Sequence, residues 1–421
     1  MKRLLVFVAT ITVFGLLLGG MAPPKVAAAA EQTITIGFTA SLTGRFNVEA
    51  TRQINGINLW IEQVNKAGGI KLPNGTQVKV AARYYDDESS KDRVQQLYSR
   101  LINSDKANFL ISPYSSGLAD AAAVIAQQNN RIMITTGAAS DSTYKKGFTL
   151  IYQAYTPASH YLTGALDILK KLDPKVSKMA IVYEKDKFAS DVVNALKVYA
   201  EKHGVKVVVF EGYSSDTADF APFIDQIPAG VDAIMGGGHF ADGSTLARQI
   251  YEKKVKTRMI ALMNAPAEPK FAELGQACIS VITASQWEPE AKYSPEVAKK
   301  ENLPWFGPTS QEFVKAYKAK YKEVPSYHSA GGYVTCLFLQ KAIQDAGSLD
   351  TNEVKAALDK ENMYTFYGRI KFDTTPQEHG LQIGHEMIVV QWQKGEGGKP
   401  VLNAVWPPAA ANASPFLLTS P

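Results

Sequence analysis

Several features that would mark other classes of protein are missing from this chain. It has only two cysteines, Cys278 and Cys336, in 421 residues. Both lie in apolar runs, which favours two buried small hydrophobic side chains, although an exported protein could also form a disulfide. No block of lysine and arginine indicates a nucleic-acid surface. No apolar run beyond residue 30 is long enough to cross a membrane.

Motifs that would indicate catalysis are absent as well. The chain has no Gly-x-Ser-x-Gly nucleophile motif, no His-Glu-x-x-His motif and no Cys/His cluster with metal-binding spacing. Gly236-Gly237-Gly238 is not followed by the Lys-Ser/Thr of a phosphate loop. Asp86-Asp87 could serve metal or acid–base chemistry, but capping at a strand end is the stronger interpretation. The sequence therefore predicts no enzymatic activity, no cofactor and no metal.

The N-terminus has the three parts of a secretory signal peptide. Lys2 and Arg3 precede an apolar stretch over 4–18, and small residues close the segment at 27–30. The apolar stretch is shorter than the roughly 20 residues of a membrane span. A retained anchor or a lipoprotein is the alternative, but a lipoprotein needs a cysteine at the cleavage point and none is there. We expect residues 1–30 to be removed and the mature protein to be periplasmic or otherwise secreted.

Length and patterning predict two α/β units. A chain of 421 residues suits two domains, and 46% hydrophobic with 20% charged residues is a globular composition. Short apolar strands alternate with amphipathic helices up to a break near Thr156, after which the same alternation restarts. Such alternation predicts parallel sheets with helices on both faces. The predicted strands lie at 34–38, 78–85, 109–111 and 131–135, and then at 179–183, 205–210, 232–235, 259–262 and 279–284.

The last third of the chain is mixed. Helices are predicted over 309–321, 328–346 and 352–359, followed by strands over 367–373 and 385–393. From residue 407 the chain is rich in proline, alanine and serine, which predicts a disordered tail over 407–421.

Ordered short motifs give the chain a resemblance to a known family. The opening Ile36-Gly37-Phe38-Thr39-Ala40-Ser41-Leu42-Thr43-Gly44 is followed at family spacing by other motifs over most of residues 33–406. The chain resembles the leucine/isoleucine/valine-binding type of periplasmic binding protein, the substrate-binding component of an ABC transporter. The other motifs are Asn55-Gly56, the run over 65–70, Tyr85-Asp86-Asp87, the run over 113–117, the run over 136–140, the run over 329–333 and the run over 368–373.

The resemblance implies a type I periplasmic binding fold. This fold is α/β, with two Rossmann-like lobes joined by a three-strand hinge and a ligand cleft between the lobes. Mapped onto this chain, the first lobe comprises 31–153 and 288–380, and the second comprises 154–287 and 381–406. The crossings then fall near Tyr155, Trp287 and Gln382.

Strand ends facing the cleft supply candidate ligand contacts from the first lobe. Ligands of α/β sheets bind at the carboxyl ends of strands, where Tyr114-Ser115-Ser116 directly precedes a helix and could hold an anion. Simple helix capping by serine is the alternative. The run Ala138-Ala139-Ser140 lies at the neighbouring strand end. In the family these two loops hold an amino acid's α-carboxylate and part of its ammonium group, so the resemblance gives those roles to Ser116, the backbone of Ala138, and Ser140.

The second lobe and a late helix supply the other candidates. Phe188 stands where the family often has a tyrosine, and His239 follows a strand end as either a ligand contact or a loop residue. Asn264 falls near the acidic residue that pairs with the ammonium group in amino-acid binders, and a neutral amide cannot replace that charge. Glu268 is a possible substitute. His328 begins a helix that faces the cleft in the family, although a surface residue at a helix start is the alternative.

These features predict a function in solute capture. The family implies a monomer that traps a small molecule, here an amino acid or a related carboxylate or amide, and delivers it to an ABC transporter permease. Branched or aromatic carboxylates would also fit a carboxylate cradle with aromatic walls. An exported sensor of the same fold, which presents its ligand to a membrane receptor, would have the same sequence features. No nucleic-acid partner is expected.

Overall fold

The computed structural model describes residues 31–408 and 410–418. The predicted signal peptide, residues 1–30, lies outside the described residues. The described chain is an α/β structure built on two large sheets. Within it, no helix is both long and apolar enough to span a bilayer.

The first lobe is built on a six-stranded sheet. Its neighbouring strands are parallel except for the short first pair, and its central strands are buried on both faces, as apolar runs in a parallel sheet require. In spatial order the strands are β2 (Ile70–Lys71), β3 (Gln77–Asp86), β1 (Glu31–Ala40), β4 (Phe109–Ile111), β5 (Met133–Thr135) and β6 (Ile151–Gln153).

The second lobe is built on a seven-stranded sheet. Five strands are parallel, and the last two strands form an antiparallel pair at one edge, where the first of the two also pairs antiparallel with the parallel set. In spatial order they are β15 (Pro400–Trp406), β14 (Ile388–Lys394), β11 (Ile282–Ser285), β10 (Met259–Leu262), β9 (Ala233–Gly237), β7 (Lys178–Glu184) and β8 (Lys206–Tyr213). A separate hairpin is formed by β12 (Asn362–Thr365) and β13 (Gly368–Lys371).

Helices cover both sheets. The first lobe carries α1 (Asn47–Lys66), α2 (Lys91–Asn103), α3 (Ser116–Gln128), α8 (Pro295–Lys300), α9 (Ser310–Tyr321), α10 (Tyr327–Ala346) and α11 (Thr351–Leu358). The second carries α4 (Thr163–Leu172), α5 (Lys187–Lys202), α6 (Ala221–Ile224) and α7 (Phe240–Glu252). The predicted α/β class with two lobes is confirmed. The sequence did not indicate β2, β6, β12, β15 or α8.

The chain passes between the sheets three times, after β6, after β11 and before β14. The crossing segments hydrogen-bond to one another. The backbone N–H of Thr156 donates to Oε1 of Gln286 at 2.8 Å, and the hydroxyl of Thr156 lies 2.5 Å from Nδ1 of His385. The N–H of Gln382 donates to Oε1 of Gln153 at 3.3 Å. The crossing segments are therefore joined to one another by hydrogen bonds and form one hinge.

The predicted disordered tail differs from the structure. Residues 410–418 lie against the second lobe, where Leu417 and Leu418 pack on the hydrophobic core. The N–H of Phe416 donates to Oε1 of Gln391 at 3.1 Å, and the N–H of Leu418 donates to the carbonyl of Arg258 at 2.8 Å. The proline, alanine and serine content of the segment suggested disorder. However, its few apolar side chains pack on the second lobe and its backbone hydrogen-bonds near the edge of the sheet, and these contacts order it.

Both cysteines are free and buried, as the apolar runs around them predicted. Cys278 lies at the end of a 3-10 helix in the second lobe, and Cys336 lies within α10. Their side chains are fully enclosed in different hydrophobic clusters. They therefore pack as small hydrophobic residues and do not form a disulfide.

Candidate ligand site between the lobes

Two loops of the first lobe form a small cradle. Ser116 is the first residue of α3, and its Oγ accepts hydrogen bonds from the N–H groups of Ala139 and Ser140 at 3.0 and 3.2 Å. The Ser116 hydroxyl hydrogen is left free to donate. The hydroxyl of Ser140 is buried and has no hydrogen-bond partner among the described residues. The N–H of Ala138 likewise donates to no acceptor in that part of the chain. These groups can together donate to an anionic oxygen.

Tyr114 carries hydrogen bonds across the cleft. Its hydroxyl lies 2.7 Å from Nδ1 of His239 and accepts from Nδ2 of Asn264 at 3.1 Å, and both of these residues belong to the second lobe. The same hydroxyl donates to Glu49 at 3.3 Å. The amide oxygen of Asn264 accepts from the hydroxyl of Tyr327 at 2.9 Å. Asn264 therefore joins two tyrosines of the first lobe, which differs from the role of an acidic ammonium partner.

His239 is a buried cation. Its Nε2 lies 2.8 Å from Oδ2 of Asp186 and 3.8 Å from Oε2 of Glu184. Burial alone lowers the pKa of His239, but the charge of Asp186 and its hydrogen bond, with help from Glu184, raise it to about 9. Arg45, from the first lobe, pairs with Glu184. The side chain of His239 is 3% exposed and lines the cavity.

The same residues are a possible cation site. Glu184, Asp186 and His239 place one donor atom each within 4.8 Å of one another. However, a metal would have to displace the imidazole proton that these carboxylates hold in place, and Arg45 already pairs with Glu184. The arrangement fits an ion-pair cluster better than a metal centre.

A second buried contact crosses the cleft near His328. Nδ1 of His328 lies 2.5 Å from Oε1 of Glu268, and Nε of Arg52 lies 3.9 Å from Oε2 of the same carboxylate. His328 and Glu268 are both almost fully buried, so the alternative of a surface residue at a helix start is wrong for His328. Glu268 therefore joins the second lobe to two side chains of the first.

The lobes enclose a narrow aromatic cavity. The cavity has a volume of only about 10 Å³, which is room for roughly one water molecule. Seven of its eleven lining residues are tyrosine, phenylalanine or histidine from the two lobes, and another lining residue, Ser116, belongs to the cradle. The lining residues are Tyr114, Ser116, Gly137, Ala139, Tyr155, Tyr161, Phe188, His239, Asn264, Tyr327 and His328.

Most of the predicted site residues meet at this cavity. Tyr114, Ser116, Ala139, Phe188, His239, Asn264 and His328 line it directly, while Ala138 and Ser140 belong to the cradle. Ser115 does not reach the cavity and lines a neighbouring pocket instead. The sequence analysis did not single out Tyr155, Tyr161 and Tyr327 as site residues. Tyr155 was noted only as a crossing point. Tyr327 could have been predicted as a site residue, because it directly precedes the candidate His328 in the sequence.

The fold and the site together define a class of protein: a two-lobed α/β clamp whose ligand cavity is shared by both lobes. Residues 33–399 match the family described as periplasmic binding protein. The chain belongs to this family, of the type associated with branched-chain amino acid ABC transporters.

Named relatives and solved structures agree with this assignment. The chain is 26% identical over 410 residues to the Leu/Ile/Val-binding protein homolog 7 of Brucella suis, covering 94% of this chain and 95% of the relative. It is similar to LivJ from Streptococcus pneumoniae, solved with isoleucine, at a TM-score of 0.72 and 19% identity, covering 89% of this chain and all of LivJ. A solute-binding protein from Rhodopseudomonas palustris, solved with 3,4-dihydroxybenzoic acid, also gives 0.72 and 19%, covering 91% of this chain and 98% of that protein.

Proposed function

We propose that this protein captures a small organic carboxylate outside the cytoplasm and delivers it to an ABC transporter permease. The observation that carries the proposal is the cradle at Ser116, Ala139 and Ser140, where the buried hydroxyl of Ser140 has no partner within the described part of the chain and lies beside an aromatic cavity. A buried hydroxyl without a partner is costly. A carboxylate oxygen would complete its hydrogen bonding.

The lining of the cavity favours a carboxylate with an apolar body. Of the carboxylates near it, Asp186 is paired with His239 and Glu184 with Arg45. An aromatic or branched monocarboxylate would meet ring faces and the cradle. The relatives supply a reason to keep branched-chain amino acids as the second candidate, since LivJ was solved with isoleucine.

Solute entry requires the lobes to open and the rings to move. Room for about one water cannot hold an organic acid. Tyr114, Tyr155 and Phe188 fill the space that a ligand would use. We therefore propose a hinge motion at the three crossings, with closure around the solute.

The setting of the protein also belongs to the proposal. The signal-peptide pattern and the family support a place outside the cytoplasm, with a permease as the partner. A membrane receptor that reads the liganded protein is the alternative partner. Co-purification with a permease, or loss of uptake when the gene is deleted, would favour transport, and normal uptake with lost signalling would favour sensing.

The cradle can be tested in two steps. A thermal-shift screen of aromatic acids, branched carboxylates, amino acids and amides would identify the solute, because a ligand that binds only the folded state raises its stability. Calorimetry would then compare the wild type with Ser140→Ala. We expect a loss of about tenfold to a hundredfold in affinity, since a charge-assisted hydrogen bond contributes about 1.5–3 kcal/mol.

Ser116→Ala should have an additional effect. It removes the acceptor of two buried N–H groups, so we expect roughly 1–3 kcal/mol of lost folding stability as well as weaker binding. Ser99→Ala, in α2 and remote from the cleft, is the matched control. Unchanged affinity in both cradle variants, with the folds intact, would exclude carboxylate binding at this place.

A further inference from the structure

A second pocket opens at the mouth of the cleft. The pocket has a volume of about 390 Å³ and is lined by residues of both lobes. The rings of Phe46, Tyr114 and His239, which pack edge-to-face at 4.7–5.5 Å, separate it from the aromatic cavity. Ser115 lines this pocket, whereas the next residue, Ser116, lines the cavity.

The lining of this pocket is strongly cationic. Arg45 and Lys91 come from the first lobe, and Lys185 and Lys187 come from the second. Arg45 pairs with Glu184, and Lys187 lies 3.7 Å from Asp120. In contrast, neither Lys91 nor Lys185 has a carboxylate within 4.0 Å in residues 31–408 and 410–418. The pocket therefore has two ammonium groups without a counter-charge, one on each lobe.

The pocket contains only one carboxylate, that of Asp186. Its Oδ2 is bound by His239 and its Oδ1 accepts from the N–H of Ala189 at 2.7 Å. Burial raises the pKa of Asp186, but the charge of His239 and these hydrogen bonds prevail, so the pKa is lowered. Asp186 is thus an ionised group committed to the protein and does not neutralise the lysines at the pocket mouth.

A serine that is almost fully buried also lines the pocket. Ser115 is 2% exposed, yet its hydroxyl makes no hydrogen bond to any described residue, not even the capping bond that its position before α3 allows. The next N–H groups, of Gly117 and Leu118, donate to no acceptor in the described part of the chain. The Lys91 ammonium lies over this helix start, 3.8 Å from where a Cβ on Gly117 would be.

We propose that this pocket is a binding site for a small, multiply charged oxyanion such as phosphate, held between the two lobes. Hydroxyl and N–H groups at the start of α3 would donate to the anion, where the helix dipole also favours negative charge. Lys91 and Lys185 would neutralise it from opposite sides of the cleft. The anion would thereby join the lobes at a place separate from the carboxylate cradle, so the proposal does not depend on the identity of the transported solute.

The experiment is a calorimetric titration of the full chain with inorganic phosphate at constant ionic strength, with chloride as the reference anion. The wild type should show saturable binding of phosphate and none of chloride. Lys91→Gln and Lys185→Gln should each weaken binding by about threefold to tenfold, and the double variant by at least about tenfold, because each removes one charged donor.

Matched controls separate a site from a general charge effect. Lys202 and Lys315 are exposed lysines, one on each lobe, outside the pocket. The double variant Lys202→Gln/Lys315→Gln loses the same charge and should bind phosphate as the wild type does. Ser115→Ala should weaken phosphate binding by roughly threefold or more while leaving binding of the transported solute unchanged.

Three results would overturn the proposal. The first is the absence of saturable phosphate binding. The second is an equal loss of phosphate affinity in the pocket double variant and the control double variant. The third is a loss of phosphate affinity on substitution of only one of the two pocket lysines, which would exclude bridging between the lobes. None of these outcomes bears on Ser140→Ala and the carboxylate cradle, so the two proposals can fail separately.

Discussion

His385 shows how a single buried side chain can make the hinge sensitive to pH. Its Nε2–H donates to the carbonyl of Tyr367 at 2.7 Å, its Nδ1 accepts from the hydroxyl of Thr156, and its ring stacks on Tyr367. Burial lowers the pKa of His385 to about 4, against the partial support of backbone carbonyls. The folded hinge therefore holds the neutral imidazole.

We expect acid to destabilise the folded protein through this residue. In the unfolded chain His385 takes up a proton near its ordinary pKa of about 6.5. Its contribution to the free energy of unfolding is therefore constant above that pH and falls as the pH drops from 6.5 towards 4. The full loss is on the order of 3 kcal/mol. Denaturant unfolding of the wild type and of His385→Gln across this range would measure it. The decline should be shallower in the variant, and His203→Gln, at an exposed histidine, should retain the wild-type slope.

At the residue scale, the sequence could locate the loops but not the partners. Strand ends and helix starts indicated Ser116, Ser140 and His239, because the carboxyl ends of parallel strands meet at one edge. The hydrogen bond from His239 to Tyr114 joins residues 125 positions apart, and no local pattern encodes such a pair. Nor could the sequence separate Ser115 from Ser116, since the turn into α3 sends consecutive side chains into different pockets.

At the element scale, α1 and α10 cross in close contact. A Cβ on Gly56 would lie 2.0 Å from the carbonyl oxygen of Ser329, and a Cβ on Gly332 would lie 2.1 Å from that of Gln53. The motifs around Gly56 and Gly332 contributed to the family resemblance, and the crossing gives them a physical reason. The pattern of apolar residues predicted both helices but not that they touch. Elements such as β2, with two residues, were too short for any periodicity to indicate them.

Gly56→Ala should strongly destabilise the first lobe. The added methyl group meets backbone atoms that can only move with the whole helix, so we expect a loss of about 3 kcal/mol or more, at the upper end of overpacking effects. Thermal and denaturant unfolding would measure it. Gly117→Ala is the matched substitution within a helix, because its Cβ would meet only the end of the Lys91 side chain, at 3.4 Å. A comparable loss in both variants would show that helix crossing is not the cause.

At the scale of the whole molecule, closure depends on pairs formed between the lobes. Glu268 of the second lobe contacts His328 and Arg52 of the first lobe, and Arg52 also pairs with Glu323 within its own lobe. Glu268→Gln removes the charge that crosses the cleft, whereas Glu323→Gln removes a partner of the same arginine without crossing it. The two variants therefore separate closure from local stability.

We expect Glu268→Gln to favour the open form. Loss of a buried charge partner typically costs about 3–5 kcal/mol, and here the lobes can separate instead of unfolding. Small-angle scattering should give a larger radius of gyration than in the wild type, and solute affinity should fall by about tenfold or more, since only the closed population binds tightly. Glu323→Gln should leave the radius of gyration and the solute affinity near the wild-type values. An unchanged radius in Glu268→Gln would show that this pair does not govern closure.

The three crossings of the hinge also affect how the chain can be assembled in time. The side chains of Trp60 in α1 and Gln340 in α10 form a hydrogen bond across 280 positions of the chain, with the sheet of the second lobe started between them. During synthesis, α1 must wait for its covering helix until most of the chain has emerged from the ribosome. Contacts this distant slow folding, because a long loop must close before they form. The first lobe therefore cannot complete its core early in synthesis.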